Sequence, residues 1–597
     1  MFPDYRGVMF GMGDGHEQLL SGNQFELAYY VFRDPRYASI LKRSKKRSLI
    51  YGVPELPQDT PDLASLSGYS DNAGIAVLRS QTKNRPQSDQ IQVALKYGTH
   101  GSYHGHFDRI SLLSLMRYGR SFYNPETSWF GYGSYMYKWW VQPSVSHNMV
   151  VADGKMQEPS SCDQLLFYSG NMMQVHAMST DTRWSNPPYM GGYDQIERIR
   201  EGNAPYVPIV ANHPEPGEIG HYSELIHQRR LTIVTDDYVI LADYLKGKEN
   251  HVFDNLLKLR GAQPGDNLKW VSHSPQWDND PLSSGQFITN VNRYEYKQGG
   301  EIKSVHHFAP RGKDGMNLAI NNWETGGQNR LYNEPGNLNI DAYMAWPRKA
   351  EISIGDYAED WGVNKKMDYQ VIADGELMNR GSIGTWILGK HYLNVPLENK
   401  KELAFIIKTD RRQGIKKTLM LADAYLITDK GHKIALSTLN AVTKNVATLP
   451  VNGKDYEKGP VKISGVSYKE SIGVEPDNAE KEALLSYNLQ GLNVVRLEGV
   501  IGGDYPVGNE EQLRKTVGVR LRGNEATYVT VLEPHEGKSL VRKVEVDNPS
   551  EIKVELVDGR VQNFELQGFY SIGKEVIVSM VERKDRMVIR SESTTKN

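Results

Sequence analysis

The sequence predicts a mainly β protein of several domains with a short helical region at its N-terminus. A chain of 597 residues, 39% of them hydrophobic, is too long for one compact domain and can supply several buried cores. From Asn72 onward, short segments rich in β-branched and aromatic residues alternate apolar with polar side chains, and Gly, Asn and Asp turns separate them. Helical spacing is evident only before that point.

The helical region lies between Asn23 and Arg33. Apolar residues from Phe25 to Phe32 follow a helical spacing there, and we expect the helix to stop before Pro35. The basic run from Lys42 to Arg47 follows. Because such runs are usually the solvated face of a helix, we do not assign this run to polyanion binding.

The remainder of the chain reads as antiparallel β structure. Gly- and Asn-rich connectors near Gly326 to Asn339 and Ala373 to Gly384 suggest boundaries, and the short strands from Met378 to Thr448 suit a β-sandwich. We therefore expect a large antiparallel β-sheet domain over residues 69–370 and a C-terminal β-sandwich region over 371–597. That region either binds carbohydrate or braces the preceding domain. The predicted strands include Gly74–Ser80, Gln90–Gly98, Asn148–Gly154, Arg229–Leu245, Lys401–Asp410, Ala424–Leu436, Ala526–Pro534 and Glu575–Arg583.

Composition excludes some classes of protein. Lysine plus arginine (70) nearly balance aspartate plus glutamate (72), so the overall charge gives no reason to expect a nucleic-acid or membrane partner. The single cysteine, Cys162, excludes an internal disulfide and any multi-cysteine metal site. No apolar run approaches the roughly 20 residues of a membrane span. The N-terminal residues do not form a secretory signal as they stand.

The densest cluster of unusual residues runs from Tyr97 to Gln157 and is rich in histidine, tyrosine and tryptophan. If the backbone from Tyr103 to Asp108 is extended, its period of two directs His104, His106 and Asp108 to one face, which is a metal-site or catalytic geometry. The alternative is that these histidines are hydrogen-bonded at a strand end. The His-x-His-x-Asp pattern also resembles that of metallo-β-lactamase-like hydrolases, but that family's motif continues with a further histidine, and here Arg109 follows the aspartate.

Several linked motifs in this cluster occur in a characteristic order, and together they resemble the heparinase II/III-like polysaccharide lyases. The similarity extends from about Asn72 to Gly247. The motifs are the His-Gly-His-x-Asp of His104 to Asp108, the turn Tyr123-Asn124-Pro125, the pair Tyr132-Gly133, and the His-Asn signature of His147 to Gly154.

The resemblance implies a structural zinc site in the β domain. Its ligands would be His106, His147 and the turn residue Asn124, where the family usually has aspartate. A neutral amide is a poorer zinc ligand than a carboxylate, so this replacement weakens the expected site.

The resemblance also implies that His104 faces the substrate and that Tyr132 takes part in proton transfer, with Tyr135 and Tyr137 as fallback candidates. We assign Tyr103 and Arg79 to substrate binding, and Arg79 could also supply the positive charge that a tyrosine base needs near neutrality. The three tryptophans Trp129, Trp139 and Trp140 are either a sugar-stacking platform or core residues.

In this family a long toroid of paired helices precedes the β domain, so residues 1–68 resemble the remnant of an (α/α) toroid. The expectation is that upstream catalytic residues are missing here and that a truncated helical layer favours self-association or completion by another segment. Secretion or a periplasmic location is expected from the family.

The function predicted from the sequence is a carbon–oxygen lyase that cleaves a uronic-acid polysaccharide by β-elimination to 4,5-unsaturated products. Ulvan is slightly favoured over heparin or heparan sulfate and alginate. Two alternatives stay open, a non-catalytic carbohydrate-binding protein and a metal-dependent hydrolase. Glycoside hydrolysis by Asp108 and Glu126 ranks last, because their sequence spacing does not establish the required separation.

Overall fold

The structure is a computed structural model of the chain. The residues that it describes are 8–14, 18–19, 22–42, 55–60, 66–81, 84–98, 104–118, 120–123, 140–158, 160–186, 223–278, 280, 283–306, 338–357, 366–384, 390–409, 419–449, 451, 462–463, 466–477, 482–503 and 514–595.

The N-terminal part forms two consecutive helices, α1 (Gly22–Phe32) and α2 (Pro35–Leu41), beside the short pair β1 (Val8–Met9) and β2 (Gln18–Leu19). The predicted helix is confirmed, but Pro35 also begins a second one. Proline suits a first helical position because its missing N–H has no helical partner there. The Asp34 carboxylate caps α2 by accepting the N–H of Arg36 at 2.9 Å.

The first sheet is an antiparallel meander of five strands in the order β3-β4-β5-β6-β7. Its inner strands β4, β5 and β6 are buried on both faces. Its strands are β3 (Gly68–Ser70), β4 (Ile75–Arg79), β5 (Gln92–Lys96), β6 (Ser111–Arg117) and β7 (Arg120–Tyr123).

The second sheet has twelve strands and is antiparallel throughout. Its strands are β8 (Val150–Ala152), β10 (Asp163–Ser169), β11 (Gln174–Thr182), β13 (Ile226–Val234), β14 (Val239–Arg260), β15 (Gln263–Pro264), β16 (Lys269–Gln276), β17 (Thr289–Tyr296), β18 (Gly300–His306), β19 (Leu338–Trp346), β20 (Ala350–Asp356) and β34 (Arg514–Glu536). Two long strands, β14 and β34, pair along most of their length and form its centre. A separate two-stranded pair consists of β9 (Met156–Gln157) and β12 (Trp184–Ser185).

Between β20 and β34 the chain forms a β-sandwich of two sheets. The five-stranded sheet contains β21 (Lys366–Ala373), β22 (Glu376–Gly384), β24 (Glu402–Thr409), β27 (Val442–Lys444) and β32 (Ala483–Asn488). The six-stranded sheet contains β23 (Lys390–Pro396), β25 (Leu419–Thr428), β26 (Lys433–Ala435), β28 (Val446–Thr448), β31 (Ser471–Pro476) and β33 (Val494–Gly502). A short hairpin joins β29 (Lys462–Ile463) to β30 (Val466–Ser467).

The last part of the chain is a five-stranded antiparallel meander. Its strands are β35 (Val541–Asn548), β36 (Glu551–Leu556), β37 (Arg560–Gln567), β38 (Ile577–Lys584) and β39 (Met587–Ser593).

The twelve-stranded sheet is covered on both faces. Along β14, Val239 and Leu241 join a core shared with the first sheet, whereas Ile240 and Ala242 join a core shared with the C-terminal meander. This alternation follows from the period of two along a strand. The sandwich has its own core, which includes Leu403, Leu426 and Leu497.

The mainly β fold class is confirmed, with antiparallel sheets as predicted. Sheet membership crosses the predicted boundary at 370/371, because β21 spans it and β34 returns to the twelve-stranded sheet. The region Ala373 to Gly384, read as a connector, is the turn and second strand of the β21–β22 hairpin. Most of the other connector, Gly326 to Asn339, lies outside the described residues. None of the helices in the described residues has the length and apolar character of a membrane span.

Candidate functional site

The histidine motif lies in an irregular segment between β5 and β6. The His104 side chain is 63% exposed, whereas those of His106 and Asp108 are buried. The segment is not an extended strand, so the condition for a period of two to place all three side chains on one face is not met. This backbone forms hydrogen bonds with a neighbouring segment and not with a strand. The N–H of Phe107 donates to the carbonyl of Gln142 at 2.9 Å, and the Gln142 amide donates back to the motif at 2.7 Å.

A carboxylate that the sequence analysis did not single out joins the two histidines. Asp14 Oδ2 lies 2.8 Å from Nδ1 of His104, and its Oδ1 lies 3.0 Å from Nε2 of His106. A carboxylate only accepts, so each of these ring nitrogens carries the proton when the bond forms. Asp14 is itself nearly buried, with a side chain 7% exposed. It therefore fixes the orientation of both rings.

The close approach of this N-terminal segment to the histidine motif depends on a glycine. Gly13 has φ of +57°, and a Cβ built on it would lie 2.3 Å from the carbonyl oxygen of His104. The next residue's N–H donates to that same carbonyl at 3.2 Å. The local sequence, Gly13-Asp14-Gly15, indicates a turn but does not identify the histidines as its partners.

His147 lies against His106, with ring centroids 5.1 Å apart. Burial lowers the pKa of His147 to about 3, so its imidazole is neutral at physiological pH. Its Nε2 is buried and has no hydrogen-bond partner among the described residues. A buried neutral imidazole with an unsatisfied nitrogen is what a ligand-binding histidine requires.

The residues fit the implied zinc site only in part. The unsatisfied Nε2 of His147 is a suitable donor, but Nε2 of His106 is bonded to Asp14, and Asn124 lies outside the described residues. Across the described parts of the chain, no group of three or more His, Cys, Asp or Glu side chains is arranged to hold a metal ion. Among the described residues, His106 and His147 are in place, but they do not by themselves form a complete set of zinc ligands.

The buried Asp108 carboxylate accepts a hydrogen bond from Lys96. Lys96 Nζ donates to it and to the carbonyl of His106, the latter at 3.2 Å. Burial raises the pKa of Asp108, but the charge and hydrogen bond of Lys96 outweigh burial and hold that pKa below its usual value. A general acid needs a raised pKa, so this environment does not suit Asp108 as the general acid of a glycoside hydrolase.

Asn148, the second residue of the His-Asn signature, joins two sheets. Its amide donates to the carbonyl of Leu112 in β6 at 3.2 Å, and its oxygen accepts the backbone N–H of Lys258 in β14 at 2.7 Å. These bonds fix the backbone directly beside His147. The asparagine of the signature therefore serves to position the backbone beside His147.

The end of the signature forms a tight turn. Asp153 and Gly154 have φ of +53° and +63°. Asp153 accepts from the N–H of Val252 and bonds Nδ1 of His251, both at 2.8 Å. On the other side of that ring, Nε2 of His251 lies 3.3 Å from Glu224. The turn therefore fastens β8 to β14 through a histidine between two carboxylates.

Two predicted site residues lie in the core. Arg79 is fully buried; its guanidinium donates to the Gln92 side chain at 2.8 Å and to the carbonyl of Leu66. These are the contacts of a structural arginine, whose own side chain does not reach solvent. Trp140 is also fully buried, with its ring 4.9 Å from that of Tyr357, so of the two alternatives for this tryptophan the structure agrees with the core residue.

Several predicted site residues lie outside the described residues, so their assignments stay predictions. They are Tyr103, Asn124, Glu126, Trp129, Tyr132, Tyr135, Tyr137 and Trp139. Of the predicted catalytic, substrate-binding and metal residues, the structure therefore describes Arg79, His104, His106 and His147. It brings the three histidines together around Asp14 and Asp108, and leaves Arg79 in the first sheet.

No family model and no curated protein matches the chain. Solved structures do match it at a distance. A heparinase III gene product has a TM-score of 0.37 and 9% identity, over 99% of this chain and 50% of that protein. The heparan sulfate lyase HepC from Pedobacter heparinus has a TM-score of 0.36 and 10% identity, over 93% of this chain and 50% of that protein.

A further heparinase III structure has a TM-score of 0.36 and 11% identity, over 99% of this chain and 52% of that protein. This chain thus spans about half the length of these structures. The similarity is a distant resemblance to heparinase III and heparan sulfate lyases as a group.

Proposed function

We propose that this chain is a polysaccharide lyase that cleaves an anionic, uronic-acid-containing polysaccharide by β-elimination. The observation that carries the proposal is the exposed ring of His104, fixed by Asp14 beside the buried His106–His147 pair. An accessible imidazole held by a carboxylate suits proton transfer to or from a bound substrate.

The proposed reaction has three requirements. A base removes the proton on C5 of the uronate, the electrons of that C–H bond form the C4=C5 double bond, and the bond from C4 to the bridging oxygen breaks. An acid then returns a proton to the leaving oxygen. Neutralising the uronate carboxylate makes the C5 proton more acidic, because negative charge develops next to it in the transition state.

In this proposal His104 contacts the sugar at the reacting carbons and Tyr132 shares the proton transfer. Asp14 is a positioning residue, since it acts through the two histidine rings. His106 and His147, with Asn124, would hold the implied zinc ion, which would tie these side chains together through coordination. The neutral, buried state of His147 supports that assignment.

The substrate class follows from the chemistry, because only a uronate offers an acidic C5 proton beside a leaving group on C4. Ulvan, heparin or heparan sulfate, and alginate all meet this requirement. We favour ulvan slightly, as an expectation from the C-terminal extension alone. A secreted or periplasmic location and self-association likewise remain proposals that accompany this function.

The experiment is to incubate the chain with a panel of uronic-acid polysaccharides and to follow the ultraviolet absorbance of the new double bond. Parallel reactions use His104→Ala and Tyr132→Phe, with His432→Ala, an exposed histidine of the sandwich, as the matched control. A rise lost in both test variants and kept in the control supports the proposal. No product from any polymer, with binding retained, would instead favour a carbohydrate-binding protein.

A further inference from the structure

The β14–β34 ladder contains two buried polar side chains that lie side by side. Lys258 of β14 is directly opposite Thr516 of β34. Paired residues of an antiparallel ladder project to the same face of the sheet, with their Cβ atoms about 5 Å apart. Lys258 is 5% exposed and Thr516 is fully buried, and neither Lys258 Nζ nor Thr516 Oγ1 has a hydrogen-bond partner among the described residues. Buried polar groups are normally satisfied, so two adjacent exceptions require an explanation.

The aromatic and cationic neighbours of this pair do not satisfy the ammonium. Lys258 Nζ lies 5.9 Å from the centroid of the Tyr357 ring, and the Arg514 guanidinium carbon lies 4.9 Å from the same centroid. A ring attracts a cation, but more weakly than burial disfavours the charge. Burial lowers the pKa of Lys258 well below its ordinary value; the charge of Asp254 opposes this shift and that of Arg514 adds to it.

The carboxylate that acts on Lys258 is already bound elsewhere. Asp254 precedes Lys258 on the same face of β14. Its two oxygens accept from the Arg520 guanidinium at 2.7 and 2.8 Å, and Oδ2 also accepts from the Trp277 ring nitrogen at 3.3 Å. Arg520 therefore balances the charge of Asp254, and Asp254 is not a counter-ion reserved for Lys258.

The charged groups around the pair, counted over the described residues, leave an excess of positive charge. The cations on this face of β14, β34 and the adjoining strands are Lys258, Arg260, Arg514, Arg520, Arg293 and Lys269. The carboxylates are Asp254, Glu351, Glu295 and Asp278. Asp108, which acts on His147, is paired with Lys96 and adds no net charge. Six cations thus accompany four carboxylates, so a bound anion would reduce an existing imbalance.

We infer that Lys258 and Thr516 bind a small monovalent anion of the size of chloride, with Nζ and Oγ1 as its donors. Ammonium and hydroxyl groups both donate hydrogen bonds, and a buried cation is stabilised by a counter-ion. The burial of both side chains limits the occupant to a small ion, since a polymer cannot reach them. The ion would stabilise the centre of the twelve-stranded sheet, where β14 and β34 pair, and this role does not depend on the proposed lyase activity.

The test measures chloride binding to the full chain from the line width of the chloride NMR signal, with gluconate as a larger anion that keeps the ionic strength constant. We expect Lys258→Met to weaken binding at least about tenfold and Thr516→Val about fivefold, because they remove a charged and a neutral donor. Lys246→Met is the matched control. It makes the same change in the same strand, at a side chain that is 47% exposed, and should bind chloride as the parent does.

A second measurement is the melting temperature in chloride and in gluconate. Chloride should raise that of the parent, because a ligand that binds the folded state stabilises it. Lys258→Met should still fold in gluconate, since an apolar side chain of similar length replaces a buried charge, and should lose the difference between the two salts. Thr516→Val, which keeps the shape of the side chain, should reduce that difference.

Two results would overturn the inference. A parent with the same melting temperature in both salts and no chloride binding would show that Lys258 is a neutral amine without an anion. Chloride binding by Lys258→Met and Thr516→Val equal to that of the parent would place any bound ion elsewhere. Neither result would bear on the lyase proposal, which is tested by product formation.

Discussion

Asp14 converts two histidines of very different exposure into one hydrogen-bonded unit. His104 reaches solvent and His106 is buried, yet one carboxylate accepts from both rings. The two oxygens of Asp14 are therefore both committed, and an amide could accept from only one ring. This residue is the most informative single position for the proposed site.

We predict that Asp14→Asn lowers lyase activity about ten- to hundredfold, the usual effect of removing a carboxylate that orients a functional histidine. The measurement is kcat and KM on the polymer that gives product. Asp59→Asn, an exposed aspartate of the same N-terminal region, is the matched control and should leave both constants unchanged. Activity of Asp14→Asn equal to that of the parent would contradict the positioning role.

A second residue-scale prediction concerns pH. Burial lowers the pKa of His176 from its ordinary 6.5 to about 3, and its Nε2 lies 3.1 Å from the Gln164 side chain. The unfolded chain therefore takes up a proton between these two values that the folded chain does not. Stability is lost as pH falls from about 6.5 toward 3, with a slope of up to about 1.4 kcal/mol per pH unit from this histidine.

His147 contributes in the same direction, because its pKa is also lowered to about 3 by burial. The variant His176→Gln should remove one of the two contributions and flatten the acid side of a melting-temperature profile. His432→Gln, at an exposed position, should not. An unchanged acid slope in His176→Gln would show that this histidine is not buried in the neutral form.

At the scale of elements, the turn after β8 depends on space as well as on backbone conformation. Both Gly154 and Gly375 have positive φ, at +63° and +80°. A Cβ on Gly154 would lie 2.2 Å from Ser283 Oγ, whereas one on Gly375 would meet nothing within 4 Å. Comparing substitutions at the two positions therefore distinguishes the cost of backbone strain from the cost of a steric clash.

We predict that Gly375→Ala costs about 1 kcal/mol of stability, the cost of the left-handed conformation, and that Gly154→Ala costs about 2–4 kcal/mol because the clash adds to it. Chemical denaturation of both variants checks this. Equal costs would mean that Ser283 moves aside freely and that the turn is not tightly packed.

Local structure was predictable from the sequence where a local pattern determines it. Strands such as β4, β5 and β24 follow from their alternation and their flanking turns, and the first helix from its spacing. His104, His106 and His147 were found through the order of their motifs. The conformation of the histidine segment was not predictable, because its backbone bonds to Gln142 instead of to a strand.

Contacts over long sequence separations were not predictable in the same way. Asp14 lies 90 residues before His104, and nothing in the local sequence connects them. Arg79 was assigned to substrate binding and Trp140 was left open between a binding platform and the core, whereas packing from distant strands buries both. A residue type and its spacing indicate chemistry, whereas burial depends on which elements meet.

At the scale of the molecule, Arg117 fastens three parts of the chain together. Its buried guanidinium donates to the carbonyls of Asp89, Asp236, Asp237 and Pro534, at 2.7–3.2 Å. The first sheet, the β13–β14 turn and β34 are thereby joined at one point. Removing the guanidinium would take a donor from each of these carbonyls, of which Asp236 also accepts from Arg85 at 3.4 Å.

We predict that Arg117→Met lowers the free energy of unfolding by about 3 kcal/mol or more, because it strands several buried carbonyls at once. Arg36→Met is the matched control. That arginine is exposed and pairs only locally with Asp34, so its loss should change stability little. Thermal and denaturant unfolding of both variants would decide, and similar curves would contradict the joining role.

The position of β34 also bears on how the protein is made. This strand lies between β14 and β19 in the twelve-stranded sheet, yet more than 250 residues separate it from the end of β14 along the chain. A ribosome that has finished β14, β19 and β20 has produced strands whose shared neighbour has not yet been translated. Their edges stay open until residue 536 has emerged, and unpaired edges are sites of aggregation. Nascent chains stopped before β34 should therefore depend on chaperones, whereas the intervening sandwich can close while translation continues.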